Sequence, residues 1–419
     1  MLKETMTAEE RVTAAVKLQP YDRVPVAPHI NAEYPFRRKG RSLADAYNPQ
    51  FAEDGFQETL ALSKESGGWD AVTLAYAAPL YPDALAFFPG RGQLGGYRYP
   101  GRSNQISNES SPQYEETPLM TVDDYDLIIN LGWRGFLKKT SEEGGRDAVL
   151  SSRAARYVQV GEDPKALMDR REEISLRSVA LYHSRLDTWK RNGLAVVAGH
   201  LMIDPQMTLS LLRTLQGFTM DLYRRGDKVK ATLDAMVDDM TQDAINCMKA
   251  AGGPSATGLP GIMMACERGS GQYYNLKIFE KYVWPYIRKM VLAWAKEGYV
   301  TTLHFDTDWT LNMPYLKELP KGMVICEPDS TTDIVKAHEI LRGHMCFMGD
   351  VPPSISSHGT VKDMEDYCKK LIDVVGKGTG LILSNGCAVP PDTRDENFWA
   401  MIRTARTYYP HRSAPVFTR

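Results

Sequence analysis

His304, Asp306 and Asp308 close an apolar, β-branched run at 300–303, and this is where the sequence could do chemistry. Such a run is a buried strand signal. In parallel α/β proteins, active sites are built at the carboxyl ends of strands. His304 and Asp306 stand two apart, so on extended backbone both side chains point the same way. That spacing suits two ligands of one metal, or a hydrogen-bonded acid–base pair. The competing reading is a surface histidine with aspartates capping the next helix.

Other strand ends supply residues of the same chemical types: His29, Tyr76, His200, Glu267, Glu327, Asp350 and, in the run Ser384-Asn385-Gly386-Cys387, a thiol. His304, Asp306, Glu327 and Cys387 together offer the N, O and S donors that suit zinc. A catalytic zinc takes three protein ligands and keeps one position open, so this set is one longer than needed. Glu267, His304 and Asp306 are the candidates for proton handling. His29, Asn31, Tyr76, His200 and Asp350 are candidates for contacts to a substrate. Simpler roles compete for several of them. Glu267 could pair with Arg268, His200 could bond a loop backbone, Asp350 could cap a turn, and Cys387 could merely be small. Cys266, Cys326 and Cys346 are flanked by apolar strand residues and read as core. His183, His338, His344, His358 and His411 read as solvated.

The elements that must position these residues follow a regular alternation. Strands are expected near 24–28, 69–76, 193–200, 261–265, 300–304, 323–327, 345–349 and 380–384, with helices between them. Thr7 and Glu10 form a capping box for a first helix. Strands alternating with helices imply right-handed βαβ units and a parallel sheet. The strand count favours a closed (β/α)8 TIM barrel over an open sheet. We expect a single α/β domain over 1–419, with an N-terminal extension and a cap-like insertion near the barrel mouth at about 87–118. In that insertion glycines, prolines and aromatics crowd together in the manner of a hairpin.

The chain has 419 residues, 43% of them hydrophobic, and a net charge of −2. This balance gives no electrostatic case for nucleic acid or an acidic membrane. No apolar run approaches the roughly 20 residues that span a bilayer. No CxxC pair, glycine-rich dinucleotide fingerprint or Walker-type phosphate loop is present. The scattered cysteines and the charged start point to a reduced, cytoplasmic protein; a monomer and a homodimer both stay open.

Several stretches resemble the uroporphyrinogen decarboxylase superfamily. They are Arg11…Asp22-Arg23-Val24-Pro25, the aromatic helix Phe279 to Pro285, and the strand ending at His304. Met348-Gly349-Asp350-Val351-Pro352, Gly386-Cys387 and Glu396-Asn397 continue the likeness. The resemblance is more specific after Gly261 than between Phe88 and Arg171, and it implies a (β/α)8 barrel. The decarboxylase's own early motif is replaced here by His29-Ile30-Asn31-Ala32-Glu33-Tyr34. The corrinoid-dependent methyltransferase branch is closer, with His304 and Cys387 kept and Asp306 standing where that branch has a cysteine. Glu267-Arg268-Gly269 and Leu319-Pro320-Lys321-Gly322 look more like its O-demethylase members. The resemblance implies zinc as Lewis acid and a small methyl donor, for which a methoxylated aromatic is the first expectation. It also implies transient docking of a separate corrinoid protein, since the chain lacks an Asp-x-His-x-x-Gly motif. A cofactor-free decarboxylase or lyase and a methylcobamide-to-thiol methyltransferase are the alternatives.

Overall fold

The computed structural model describes residues 4–74, 97–101, 106–114, 116, 118–142, 184–377 and 379–408. The apolar runs form β1 (Ala71–Leu74), β4 (Ala195–Ile203), β5 (Gly261–Ala265), β6 (Thr301–Phe305), β7 (Val324–Pro328), β8 (Cys346–Val351) and β9 (Leu381–Asn385). These lie side by side in that order as one seven-stranded sheet in which every pair is parallel. Strands β5 to β9 are buried at every position. Helices cover the faces of a parallel sheet, so its strands read as continuous apolar runs.

The expected first strand is present only as a bridge, Val26 to Leu383. Ala27 N–H donates to the Leu383 carbonyl at 2.9 Å, Leu383 N–H donates to Pro25 at 2.8 Å, and Asp70 N–H donates to Val26 at 2.8 Å. The segment thus stitches β9 to β1 and closes the (β/α)8 barrel. It cannot extend into a longer ladder because Pro25 and Pro28 have no N–H to donate.

The opening helix Ala8–Val16 carries the expected capping box of Thr7 and Glu10. Its Arg11 side chain enters an ion network at the amino ends of the strands. Arg11 and Arg23 both reach Asp70, at 2.6 and 2.7 Å, and Arg11 also reaches Asp22 at 2.6 Å. All three Asp70 partners are internal, the third being the Val26 N–H at 2.9 Å. The opening Arg11…Asp22-Arg23 therefore braces the end of the barrel opposite His304, at the amino ends of the strands.

Within the expected insertion, β2 (Tyr97–Arg98) and β3 (Gln113–Tyr114) pair antiparallel, as a hairpin should. Tyr114 packs against Ile203, Met207 and Leu211. Strand β4 runs on to Ile203, beyond the expected end at His200. The helical stretch after it is broken at Thr214, whose φ of 67° no helix accommodates. The two resulting helices are Pro205–Arg213 and Leu215–Arg224.

Candidate active site

Register brings the site together. His304 on β6 lies opposite Glu327 on β7 and Ala265 on β5. Paired positions on adjacent strands point to the same face. His304 Nδ1 lies 3.0 Å from Glu327 Oε2, and His29 Nδ1 lies 3.3 Å from Glu327 Oε1. Glu327 is fully buried. On the other side of the ring, His304 Nε2 faces Asp306 Oδ1 at 3.4 Å and Cys387 Sγ at 3.9 Å.

The loops that carry these groups are tied to one another. Thr307 N–H donates to the Asp329 carboxylate at 3.0 Å, and Val389 N–H donates to the His29 carbonyl at 2.8 Å. Gly386 is needed for closeness: a Cβ there would lie 3.1 Å from Asp329 Cα and 3.1 Å from Ser330 N. That close approach lets the Cys387 thiol reach the His304 ring.

The electrostatics follow from burial and charge. Burial penalises a charged His304, but the Glu327 carboxylate and Cys387 outweigh it and raise its pKa well above the ordinary histidine value. Burial likewise pushes Glu327 up, yet His304 and His29 hold its pKa below the usual carboxylate range. Without a metal, therefore, the pair is imidazolium and carboxylate.

Two trios could hold a cation: His29, His304 and Glu327, or His304, Asp306 and Cys387. They share His304 through opposite nitrogens. The first is a hydrogen-bonded relay around a wholly buried carboxylate. The second presents N, O and S from partly exposed residues. A tetrahedral zinc places neighbouring N, O and S donors about 3.4–3.6 Å apart. The 3.4 Å and 3.9 Å separations on the Nε2 side are within a few tenths of that. The residues present thus fit a zinc ion. Glu327 on Nδ1 supplies the carboxylate–histidine contact that orients a metal-ligating ring. We therefore expect Glu327→Gln to fold normally and to lower metal affinity by about 10–100-fold, read by titration against a chelator.

Other expected site residues have different surroundings. Asn31 bonds Glu33, accepting from its N–H at 3.1 Å and donating to its carboxylate at 3.0 Å, which organises the start of helix Glu33–Arg38. His200 sits inside β4, its Nε2 at 3.1 Å from Met202 Sδ. Asp350 accepts from Tyr367 at 2.9 Å, on the outer helix Val361–Leu371. Burial lifts its pKa to about 7 against that hydrogen bond. Asp308 accepts from Thr310 N–H at 2.8 Å, a local turn ahead of the 3₁₀ helix Thr310–Glu318, whose N-cap is Trp309 with no side-chain cap. Glu267 follows β5 and is half-buried, while Arg268 pairs with Glu116 at 2.6 Å. Tyr76, His183 and His411 lie outside the described residues. Asp204 and Gln206, at the true end of β4, were not among the expected residues. The Asp204-Pro205 pair, an N-cap followed by a proline at N1, could have signalled them.

Comparison with known proteins agrees with this architecture. Residues 201–408 match the family profile described as Uroporphyrinogen decarboxylase (URO-D). The methylcobamide:CoM methyltransferase MtbA of Methanosarcina acetivorans is 29% identical over 132 residues, covering 32% of this chain and 37% of that relative. MtbA of Methanosarcina mazei is 27% identical over a stretch of the same length. A solved methyltransferase from Methanosarcina mazei superposes with a TM-score of 0.62 at 16% identity, covering 96% of this chain and 98% of that one. On these matches, residues 201–408 of this chain are a uroporphyrinogen decarboxylase family domain that resembles the corrinoid-dependent methyltransferase branch.

Proposed function

We propose that this protein is a corrinoid-dependent methyltransferase, and that it moves a methyl group from a small methoxylated donor to a separate corrinoid protein. The observation that carries this reading is the triad at His304 Nε2. There Asp306 and Cys387 converge on a nitrogen whose ring is held from behind by Glu327. A zinc ion held by His304, Asp306 and Cys387 would supply Lewis acidity toward the leaving oxygen of the donor. A carboxylate in place of a second thiolate makes that donor set harder and better matched to oxygen.

The chain's own residues have separate tasks. Glu327 keeps the His304 ring in one orientation and receives the Nδ1 proton contact. His29 Nδ1 meets the second Glu327 oxygen at 3.3 Å, so the buried carboxylate has a partner on both sides. Asp306, with its side chain one-third exposed, faces the entry path. Glu267, which follows β5, is the proton donor we assign to the departing oxygen. The corrinoid partner accepts the methyl group in a transient complex at the barrel mouth, and the chain acts in the cytoplasm. Among the described residues no helix is long and apolar enough to cross a membrane.

The names of the similar proteins favour a second reading, methyl transfer from a methylated corrinoid to a thiol. Asp306 distinguishes the two, because a thiol acceptor is better served by a softer metal site. The test pairs metal analysis with turnover. Purified protein should hold one zinc per chain, and Cys387→Ala should lose most of it. Methoxylated aromatics with reduced corrinoid protein should convert the Co(I) spectrum to that of the methylated form. A folded, metal-free wild type would defeat the zinc assignment. Methylation of coenzyme M from methylated corrinoid, with no demethylation of ethers, would establish the second reading.

A further inference from the structure

Thr307 holds a backbone conformation that threonine resists. Its φ is 74°, in the left-handed region that a β-branched residue rarely enters. It follows Asp306 directly, just past the end of β6 at Phe305. Strain of this kind persists only where the surroundings over-determine the turn.

Here three loops do so. Thr307 N–H donates to the Asp329 carboxylate at 3.0 Å, and its carbonyl accepts from Thr332 Oγ1 at 3.0 Å. Its hydroxyl donates to the Glu267 carbonyl at 3.3 Å and lies 2.8 Å from Ser270 Oγ. A hydroxyl has one proton, so Ser270 is the donor in the second contact. The buried Trp309 indole N–H donates to the Asp306 carbonyl at 3.1 Å. Every backbone polar group from the Asp306 carbonyl to the Thr307 carbonyl therefore has a partner, drawn from the loops after β5, β6 and β7.

The turn controls the residue before it. It folds the chain back, so that the Trp309 ring stacks on Phe305 with centroids 4.3 Å apart. Asp306 Oδ1 is left 3.4 Å from His304 Nε2. Among the described residues His304 is the one partner of the Asp306 carboxylate, so the direction of that carboxylate rests on the backbone that carries it. The Asp329 loop also receives Gly386, where a Cβ would lie 3.1 Å from Asp329 Cα. One loop thus sets the approach of both Asp306 and Cys387 to the His304 ring.

We propose that Thr307 is a positioning residue for the metal site: its hydroxyl, tied to the loop after β5, holds the strained turn in which Asp306 faces His304 Nε2. This inference rests on the metal reading given above. It deepens that reading by naming the residue that makes the ligand set converge.

The test needs no turnover. Zinc is d¹⁰ and colourless, so Co(II) stands in for it and is titrated into the metal-free full chain. Crystal structures of metal-free wild type and variants locate the Asp306 carboxylate. Thr307→Val keeps the side-chain shape and removes the hydroxyl. Thr307→Gly also removes it, and glycine adopts this φ without strain, which guards against a failure to fold. Both should bind Co(II) at least about ten-fold more weakly, with an altered visible spectrum and with Asp306 turned away from His304. Thr307→Ser keeps the hydroxyl and should retain wild-type affinity and spectrum. A merely structural role would lower the melting temperature of Thr307→Val and Thr307→Gly while the folded proteins kept wild-type affinity and spectrum, and that result overturns the proposal. So does a Thr307→Ser protein no better than Thr307→Val. If wild type itself binds no Co(II), the metal reading falls; Asp306 displaced in Thr307→Val and Thr307→Gly then still upholds the positioning role, and an unmoved Asp306 overturns it.

Discussion

His304→Ala is expected to abolish methyl transfer, with a loss on the order of 10³-fold or more, and to strip the metal while the barrel stays folded. His304 is the one residue both trios share. Its Nε2 faces Asp306 and Cys387 and its Nδ1 faces Glu327, so its removal disconnects ligand and orienting carboxylate together. Metal content by elemental analysis and turnover with corrinoid protein read the two effects separately. Asp306→Asn then sorts the role of Asp306. Metal lost outright means a ligand; metal kept with reduced turnover means a group that acts through hydrogen bonding. Near-normal turnover in His304→Ala would place the chemistry elsewhere.

The same residue sets a pH dependence. The metal-free pair is imidazolium and carboxylate, because Glu327 and Cys387 overcome burial and raise the His304 pKa well above its ordinary value. The stability this pair contributes is complete between the unfolded values of about 4.3 for glutamate and about 6.5 for histidine; it fades as pH rises through the raised His304 value and as pH falls through the lowered Glu327 value. Metal binding has the opposite slope. It must displace the Nε2 proton, so apparent affinity rises with pH until that proton is lost. Chelator titrations across that range should show a flatter slope in Glu327→Gln, where the partner that raises the pKa has lost its charge.

Asp70→Ala should produce the largest loss of stability of any single replacement we name, about 3–5 kcal/mol. It leaves the buried guanidiniums of Arg11 and Arg23 without their shared carboxylate and orphans the Val26 N–H. The Val26 segment closes the barrel between β9 and β1, so the damage falls on closure itself. The midpoint of urea unfolding, followed by circular dichroism, measures the effect. Full stability in the variant would mean that water replaces the carboxylate. Acid acts on the same network through Asp22. Burial raises its pKa, but Arg11 and the N–H groups of Thr5 and Met6 lower it far below the usual carboxylate range. Its contribution is present above the unfolded value of about 3.9 and is lost as pH falls below that. Wild-type stability should therefore decline from about pH 4 downward.

Much of the fold was legible because its signals are local. Apolar runs at 261–265 and 300–304 became β5 and β6 within a residue of their expected bounds. The capping box of Thr7 and Glu10 needs only the spacing of those two residues. The convergence of His304, Glu327 and Cys387 was likewise accessible, since a barrel brings the carboxyl ends of its strands to one mouth. What each group does there was not accessible. That Glu327 takes Nδ1 while Asp306 and Cys387 face Nε2 depends on strand register and loop closure. Asp350 bonds outward to Tyr367, and Asn31 organises its own helix, because partners distant or local in sequence competed for side chains whose types suited either use. Strand β4 continued past His200 because pairing with β5 favours extended backbone as far as Ile203. The amino-acid sequence by itself determined the alternation, the chemical types and their height on the strands. Tertiary structure alone decided which atoms meet, because hydrogen-bond partners are chosen across strands by register and across loops by packing, neither of which is written in any one segment.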